Sequence, residues 1–413
     1  MLTKVKSCAI IGLESQLIEV EVDLAFGGWS GFNLVGLPDK AVEEAKQRVI
    51  TAFRNSGLEF PFRQQLVINL APADVKKIGP SYDLPMAVGI LAGASEIELP
   101  EEALFIGELS LNGELRHTKG ILPVALFAKE KGLKKIFLPK LNLPEAELVE
   151  GLELYPLNNL RELANHFFGL QPIEPQQSRG INLEEQKPEF EVDMGYIKGQ
   201  EHTKRALEIA AAGGHNLLMT GPPGAGKTLL ARTIPSILPQ MTKEEILEVT
   251  RIYSVAGLLP SNKPLILQRP FRAPHHTTSG IALVGGGQFP RPGEISLAHR
   301  GVLFLDEFSE FPRAVLENLR QPLEDGIITV SRAQATITFP ACFTLIASQN
   351  PCPCGFYGDP GHNCSCTSFQ ISKYQKKIPI KLVIKTPNQW SELEIKEPEF
   401  YKEVKQGIKL FGL

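Results

Sequence analysis

The sequence predicts an α/β protein, with an N-terminal α+β domain followed by an αβα core that binds phosphate. Apolar strand patterns alternate with helical patterns through residues 1–170, and a second series of the same kind begins near residue 194. Residues 171–193 between them are rich in proline and polar side chains, as linkers are. In the second series, a glycine-rich loop separates a strand pattern from a helix pattern.

Composition sets the class of protein but not its function. The chain has 413 residues, which is enough for two or three domains, and its 43% hydrophobic and 22% charged residues are ordinary for a water-soluble protein. A net charge of −3 gives no overall sign of nucleic-acid binding and leaves a local basic surface open. The N-terminus lacks the apolar core of a signal peptide and no apolar stretch is long enough for a bilayer, so we expect a cytoplasmic protein with no membrane partner.

The N-terminal region shows clear periodicities. Leu17–Leu24 alternates apolar and polar residues, which predicts a half-buried strand, and Lys40–Asn55 has apolar residues at helical spacing. Strand, helix and strand patterns follow at Leu66–Leu70, Leu84–Ala94 and Ile136–Pro139. Together these elements predict one α/β domain.

A phosphate-binding loop lies in the second region. Its pattern, G-x-x-x-x-G-K-[ST], is met at every fixed position by Gly221, Pro222, Pro223, Gly224, Ala225, Gly226, Lys227 and Thr228. Asn216–Thr220 before it predicts a buried strand, and residues 229–234 after it predict a helix whose N-terminus favours an anion. Lys227 can reach the β and γ phosphates of a nucleotide, and Thr228 can hold Mg²⁺. The loop therefore predicts binding of a nucleoside triphosphate, ATP with Mg²⁺.

Two later strand patterns end in polar residues. Residues 301–305 are apolar and are followed by Asp306 and Glu307, which predicts a magnesium-orienting carboxylate and a general base that polarises the attacking water. Residues 343–349 form the next strand pattern and lead to Asn350, whose amide could contact the γ-phosphate or its water. A strand-end asparagine that only serves a turn is the alternative for Asn350.

The order of loop, acid pair and asparagine on successive strands resembles the AAA+ ATPase core. Further segments are similar to magnesium-chelatase-like AAA+ proteins: Gly199–Glu201, Arg272–Ser279, Arg291–Gly301, Leu319–Gly326 and Val330–Ala333. With Lys77–Pro85 and Gly107–Gly113, which resemble the Lon peptidase domain, they make the chain similar to the YifB/ComM family over residues 1 to about 377.

The resemblance implies a fold and a function. The fold is a Lon-like domain of the ribosomal-protein-S5 type joined to an AAA+ core, with Gln200 on the adenine side of the nucleotide. The function is ATP-dependent DNA branch migration in competence and recombination, by a hexameric ring of this chain around DNA. Residues 273–293 and 329–340 would face the pore, and Arg332 would contact DNA phosphate. A solvated turn arginine is the alternative for Arg332.

The Lon-like region is predicted not to be a peptidase. Ser81 falls at the serine position of the family's Ser–Lys dyad, but Leu122 falls at the lysine position, and leucine cannot activate a hydroxyl. Lys119 is about three residues out of register. We therefore expect a non-proteolytic scaffold that helps to assemble a ring.

Four of the six cysteines are crowded into fifteen residues. Cys352, Cys354, Cys364 and Cys366 form C-x-C…C-x-C, which gives either a structural Zn²⁺ site or a reduced cluster without metal, with His362 as a substitute ligand. The adjacent pair His275 and His276 has no carboxylate partner in the sequence around it, so we expect a structural role for it.

The chain departs from the family pattern after Lys377. The family continues with a segment like G-P-L-L-D-R-I-D, which carries the arginine finger, and then with a helical lid; residues 378–413 instead form a short divergent tail. Arg313 and Arg320 are weak candidates for a replacement finger. From this departure we expect binding of Mg²⁺-ATP with weak or no ring-dependent hydrolysis, as in the product of a truncated or frame-shifted gene.

Two alternative functions remain open. One is a magnesium-chelatase motor, against which the N-terminal region argues, because chelatase motor subunits are expected to resemble only the ATPase core. The other is an ATP-binding assembly module without turnover.

Overall fold

The computed structural model describes residues 2–25, 31–178, 180, 190–260, 263–287, 291–332, 335–375 and 408–411. The chain divides into two compact units, residues 1–185 with 253–265 and residues 186–252 with 266–413. The segment 253–265, which the sequence assigns to the second domain, therefore belongs to the first unit. The predictions for 376–407 lie outside the described residues, and no helix within the described ranges is long and apolar enough to cross a membrane.

Within its described residues, the first unit contains ten strands and five complete α-helices. The strands are β1 Leu2–Ile11, β2 Glu14–Ala25, β3 Gly31–Val35, β4 Gln65–Ala71, β5 Ala103–Phe105, β6 Glu108–Leu109, β7 Leu115–Arg116, β8 Lys135–Pro139, β9 Glu153–Leu157 and β10 Gln176–Gln177 among the described residues. The helices there are α1 Lys40–Asn55, α2 Asp83–Ser95, α3 Ile121–Glu130, α4 Leu143–Ala146 and α5 Leu160–Phe167. Two four-stranded sheets have the orders β1-β2-β4-β3 and β10-β9-β8-β5, and β6 pairs with β7.

Helix α2 forms the centre of the first unit's core. It is apolar on every face, as expected of a helix that is buried all round, and residues 83–93 are buried. It approaches β2 so closely that a Cβ at Gly89 would lie 2.4 Å from Cγ2 of Val22. Glycine at this position permits the helix to lie directly on the sheet.

A buried carboxylate explains why residues 253–265 belong to the first unit. Glu145 is 5% exposed and accepts hydrogen bonds from the N–H of Leu122, at 2.8 Å, and from the hydroxyl of Ser254. Burial raises the pKa of Glu145, and these donors oppose that rise. No local sequence pattern predicts this contact, because residues 145 and 254 are far apart in the chain.

The predicted linker contains the short strand β10. Strand β10 pairs antiparallel with β9, with Gln176 opposite Leu154, and the N–H of Ser178 donates to the carbonyl of Leu152 at 3.1 Å. Residues 176–178 therefore extend a sheet of the first unit rather than linking two domains.

The second unit has a central sheet and several short elements. Its strands are β11 Asn216–Thr220, β12 Phe271–Arg272, β13 Gly285–Gly286, β14 Arg291–Pro292, β15 Val302–Leu305, β16 Ile327–Arg332, β17 Ala335–Pro340, β18 Thr344–Gln349 and β19 Ile408–Phe411, within the described ranges. Its described helices are α6 Glu201–Gly213, α7 Lys227–Arg232, α8 Ile234–Ile237, α9 Lys243–Ala256, α10 Gly280–Val284, α11 Glu294–Leu297, α12 Arg313–Glu317, α13 Arg320–Asp325 and α14 Ser368–Gln375; the end of α9 falls in the first unit.

The central sheet brings three strand ends together. Its order is β12-β15-β18-β11-β19, in which β12, β15, β18 and β11 are parallel and β19 is antiparallel to β11. The strands β11, β15 and β18 are buried on both faces, as in α/β proteins. Ligands of such sheets bind beyond the carboxyl ends of the strands, where the residues after β11, β15 and β18 converge.

Candidate functional site

A cavity of about 410 Å³ lies at the carboxyl ends of β11, β15 and β18. Its lining contains most of the residues that the sequence predicts for the nucleotide: Pro223, Gly224, Ala225, Gly226, Lys227, Thr228, Leu229, Asp306, Glu307, Ser348, Gln349 and Asn350. Gly221 and Pro222 begin the loop but do not line the cavity. Gln200 is exposed before α6 and is also absent from the lining, so the structure does not bring it to the site.

The phosphate-binding loop is shaped by glycine and by its lysine. Gly224 and Gly226 have φ of 78° and 81°, in the left-handed region that favours glycine, and no atom lies within 4 Å of a Cβ built on either. The Lys227 ammonium donates to the carbonyls of Gly221 and Pro222, at 2.8 and 2.9 Å, and to Oδ1 of Asn350, at 3.3 Å. Burial lowers the pKa of Lys227, and the charge of Asp306 opposes this effect. The loop thus presents a cation toward the cavity.

Asp306 and Thr228 form the pair that fits a magnesium ion. The Thr228 hydroxyl donates to Oδ2 of Asp306 at 2.6 Å, and Oδ1 accepts the N–H of Glu307 at 2.9 Å and the hydroxyl of Ser348. Burial raises the pKa of Asp306, but the bonds from Ser348 and Thr228 outweigh it and leave the pKa below its usual value. The carboxylate therefore remains ionised at neutral pH. One hydroxyl and one carboxylate at this spacing are the hard oxygen ligands that Mg²⁺ prefers.

The predicted general base is held by a histidine. Glu307 has a φ of 51°, and its Oε2 lies 2.9 Å from Nδ1 of His276. His276 packs its ring against His275, with centroids 4.1 Å apart, and edge-on against Phe311. The expectation of a structural role for the histidine pair missed this contact, because the partner carboxylate is 31 residues away in the sequence.

Two polar residues of the site were missed from the sequence. Ser348 binds Asp306, and Nε2 of Gln349 donates to the hydroxyl of Thr220 at 3.3 Å. Both precede Asn350 at the end of an otherwise apolar strand. Consecutive polar residues at the carboxyl end of a buried strand are the signal that could have found them.

The regions expected to face a pore contain a hairpin. Strands β16 and β17 pair antiparallel, from the Ile327–Pro340 pair at one end to the Arg332–Ala335 pair at the other. Arg332 is therefore the last residue of β16. Residues 273–293 contain α10 and the short pair β13–β14, and Arg272 beside them makes a bidentate ion pair with Glu294.

The weak finger candidates pair within their own helices. Arg313 lies 3.2 Å from Glu317 and Arg320 lies 2.8 Å from Glu324, and all four side chains are largely exposed.

The four clustered cysteines come together. Their Sγ atoms all lie within 4.8 Å of one another, and Cys352 is completely buried. His362 is not part of the group, because its Nδ1 lies 3.0 Å from Asp359 and its ring stacks on Phe356.

The residues at the Lon-dyad positions lie in the first unit. Ser81 is in a single 3₁₀ turn, and its carbonyl accepts the N–H of Gly107 at 3.0 Å. Leu122 is completely buried in the first turn of α3. The side chain at the lysine position thus contributes to the core.

Two family models match the chain. The model described as magnesium chelatase, subunit ChlI, matches residues 193–386, and the model described as subunit ChlI of Mg-chelatase matches residues 20–142. The first match continues nine residues beyond Lys377, after which the sequence predicts a divergent tail. The second lies in the N-terminal region, and its description also names a chelatase subunit.

Relatives match over most of the chain. Competence protein ComM of Haemophilus influenzae is 43% identical over 382 residues, which cover 91% of this chain and 73% of the relative. The chain belongs to the YifB/ComM family. The uncharacterised protein YifB of Escherichia coli is 42% identical over 380 residues, with the same two coverages. Lon protease 2 of Bacillus subtilis is 25% identical over 187 residues, 41% of this chain and 34% of that protein. Membership in this family agrees with the mixed α/β structure of both units.

Proposed function

We propose that this chain binds ATP with Mg²⁺ and hydrolyses it slowly, because residues 378–413 depart from the family segment that carries the arginine finger. The observation that carries the proposal is the arrangement of Lys227, Asn350 and the Thr228–Asp306 pair around one cavity at the carboxyl ends of three parallel strands. The family models, which are described as subunits of a magnesium chelatase, agree with the use of a nucleotide and Mg²⁺.

Each side chain has a distinct task in this reaction. Mg²⁺ neutralises phosphate charge when it is bound, and Thr228 and Asp306 would hold it. Lys227 and the N–H groups of residues 224–228 bind the phosphates, and Asn350 orients the terminal phosphate or the water. Glu307 accepts the proton of that water as general base, and His276 fixes the position of its carboxylate.

The work done with ATP is remodelling of branched DNA by a ring of this chain. The relative named competence protein ComM supports this choice, as does the β16–β17 hairpin with Arg332 at the end of β16. An arginine there would bind the phosphate backbone without reading sequence. In this proposal the first unit, of the Lon-like S5 type, is a scaffold without peptidase activity, and the cysteine cluster holds a structural zinc ion.

The test measures ATP hydrolysis by the purified chain with and without a four-way DNA junction. We expect the junction to stimulate hydrolysis, and Arg332→Ala to reduce the salt dependence of DNA binding by a slope of about 1. Arg205→Ala is the matched control, since Arg205 lies on α6 with an exposed side chain and pairs with Glu208. Hydrolysis that no DNA stimulates would contradict the DNA proposal and leave the ATPase proposal standing.

A second candidate is a motor that drives metal insertion into a porphyrin. The descriptions of both family models favour it, because they name a magnesium-chelatase subunit for both regions of the chain. Binding of a chelatase partner subunit, with no stimulation by DNA, would select this function. ATP binding without hydrolysis under either condition would instead indicate an assembly module.

A further inference from the structure

The four cysteine sulfurs have the spacing of a single tetrahedral metal site. The Sγ of Cys352 lies 3.3 Å from that of Cys354 and 3.7 Å from that of Cys364, and the latter two are 3.5 Å apart. Zn–S bonds of about 2.3 Å in a tetrahedron place sulfurs about 3.8 Å apart. Disulfide bonds need about 2.0 Å, and all four cysteines are free. The spacing therefore matches zinc ligation and not a pair of disulfides.

Backbone groups around the cluster complete the site. The N–H groups of Phe356 and Ser365 point to Sγ of Cys354, and that of Cys366 points to Sγ of Cys364. Such N–H···S bonds orient thiolates and offset their negative charge. The two C-x-C turns thus supply both the ligands and the groups that hold them.

The cluster is in contact with the phosphate-binding loop. Cys352 is two residues after Asn350, so the metal ligands continue directly from the strand end that carries this site residue. Gly355, in the first C-x-C turn, has a φ of 89°, and a Cβ there would lie 2.7 Å from Cδ of Pro223. The turn therefore packs against the loop with no room for a side chain.

We infer that the four cysteines bind one zinc ion, and that this ion fixes the phosphate-binding loop against the Asn350 strand end through the Gly355–Pro223 contact. The second half of this inference rests on the proposed function, since it assumes that the cavity binds ATP. The zinc ion does no chemistry on the nucleotide. It keeps the turn in the one conformation that supports Pro223.

The first experiment measures the metal content of the purified full chain by mass spectrometry. We expect about one zinc ion per chain, in the wild type and in Cys342→Ser, because Cys342 is exposed and lies outside the cluster. The double variant Cys354→Ser/Cys364→Ser should lose the ion. A wild type without stoichiometric zinc, or with iron in its place, overturns the site.

The second experiment separates the contact from the ligands. Gly355→Ala leaves all four cysteines in place and pushes on Pro223. Gly358→Ala is the matched control, since Gly358 also has a positive φ, of 78°, but no atom lies within 4 Å of its Cβ position. We expect both to retain zinc, Gly355→Ala to bind a fluorescent ATP analogue at least about tenfold more weakly, and Gly358→Ala to stay within about twofold.

The outcomes separate this inference from the proposed function. Equal nucleotide affinities for the two alanine variants and the wild type overturn the coupling, even if zinc is present. A wild type that holds zinc and binds no nucleotide refutes the proposed ATP site, and with it the coupling, but leaves the metal site standing. Amide hydrogen exchange at residues 221–226 gives a readout without nucleotide: protection there should fall in Gly355→Ala and not in Gly358→Ala. Unchanged protection in both overturns the support role.

Discussion

Asp83 in the first unit and Asp306 in the second show that an aspartate can be either part of a buried ion pair or part of a site that lines a cavity. Asp83 is completely buried and accepts hydrogen bonds from Arg48, at 2.8 and 3.0 Å, and from the N–H of Leu109. Asp306 accepts bonds from two hydroxyls and one N–H at the edge of a cavity. The Arg48 guanidinium, which makes two hydrogen bonds to the buried Asp83, cannot be exchanged for a ligand, whereas the Thr228 hydroxyl can turn toward a metal ion. The two aspartates therefore differ in the groups that donate hydrogen bonds to them, and not in the carboxylate itself.

The largest expected effect is a loss of ATP hydrolysis on substitution of Glu307, the residue next to Asp306. Glu307→Gln removes the general base and keeps its shape, so kcat for ATP hydrolysis should fall by about 10²–10⁴ while the affinity for ATP changes little. Steady-state hydrolysis and binding of an ATP analogue measure the two quantities. Glu310→Gln, at an exposed acid three residues on, is the control and should retain activity. A kcat within about tenfold of the wild type would show that another group is the base.

Breaking the Arg48–Asp83 ion pair should lower the stability of the first unit without changing nucleotide binding. Arg48→Ala leaves the Asp83 carboxylate buried without its partner, which should lower the free energy of unfolding of the first unit by about 3 kcal/mol. Hydrogen exchange of residues 40–95, measured at increasing urea concentrations, reports this loss. Arg54→Ala, at an exposed position of the same helix, is the control. An unchanged midpoint in Arg48→Ala would mean that the pair is not the structural support that its burial indicates.

Substitution of Asp306 should have the opposite effect, which is weaker nucleotide binding with little change in stability. Asp306→Asn should weaken binding of ATP in the presence of Mg²⁺ by about 10- to 100-fold, because the amide cannot attract the ion. Binding without Mg²⁺, and the unfolding midpoint, should be close to those of the wild type. Titration calorimetry with and without Mg²⁺ measures the difference. If the two affinities fell equally, Asp306 would contact the nucleotide directly or support the fold.

The smallest expected effect is a pH dependence of stability that arises from His299 in the second unit. Burial lowers the pKa of His299, although its bond to Glu248 opposes this, and its Nδ1 accepts the N–H of Cys342 at 3.1 Å. The folded state therefore takes up a proton at His299 less readily than the unfolded state does. Between the lowered pKa and the ordinary value of about 6.5, stability should rise with pH, and it should fall by about 1 kcal/mol on acidification from about pH 7 to 5.5.

Urea denaturation at the two pH values measures this effect. The pH dependence should be smaller in His299→Gln and unchanged in His202→Gln, whose histidine is exposed. An equal pH dependence in all three proteins would assign the proton uptake to other groups.

What the sequence could predict depended on whether a feature rests on neighbouring residues or on residues far apart in the chain. Helix α1 was predicted at its observed bounds because its periodicity is local, and the Asp39 cap that the structure adds, which accepts the N–H of Val42, is local as well. The phosphate-binding loop and the acid pair were predicted because their chemistry fixes residue types at fixed spacing. The contact of His276 with Glu307, the position of residues 253–265 and the pairing of β10 depend on residues far apart in the chain, and no local pattern encodes them.

The order of the central sheet has a consequence for the time at which the site forms during synthesis. Strand β18 lies between β15 and β11, although it follows both in the chain. Until residue 349 has been made, β15 and β11 have no common neighbour to align them, and Thr228 and Asp306 are not brought together. If the chain binds ATP as proposed, a growing chain would gain that affinity only once β18 is in place. From then on, bound ATP would stabilise the parallel strands β12, β15, β18 and β11 by mass action, before β19 is added.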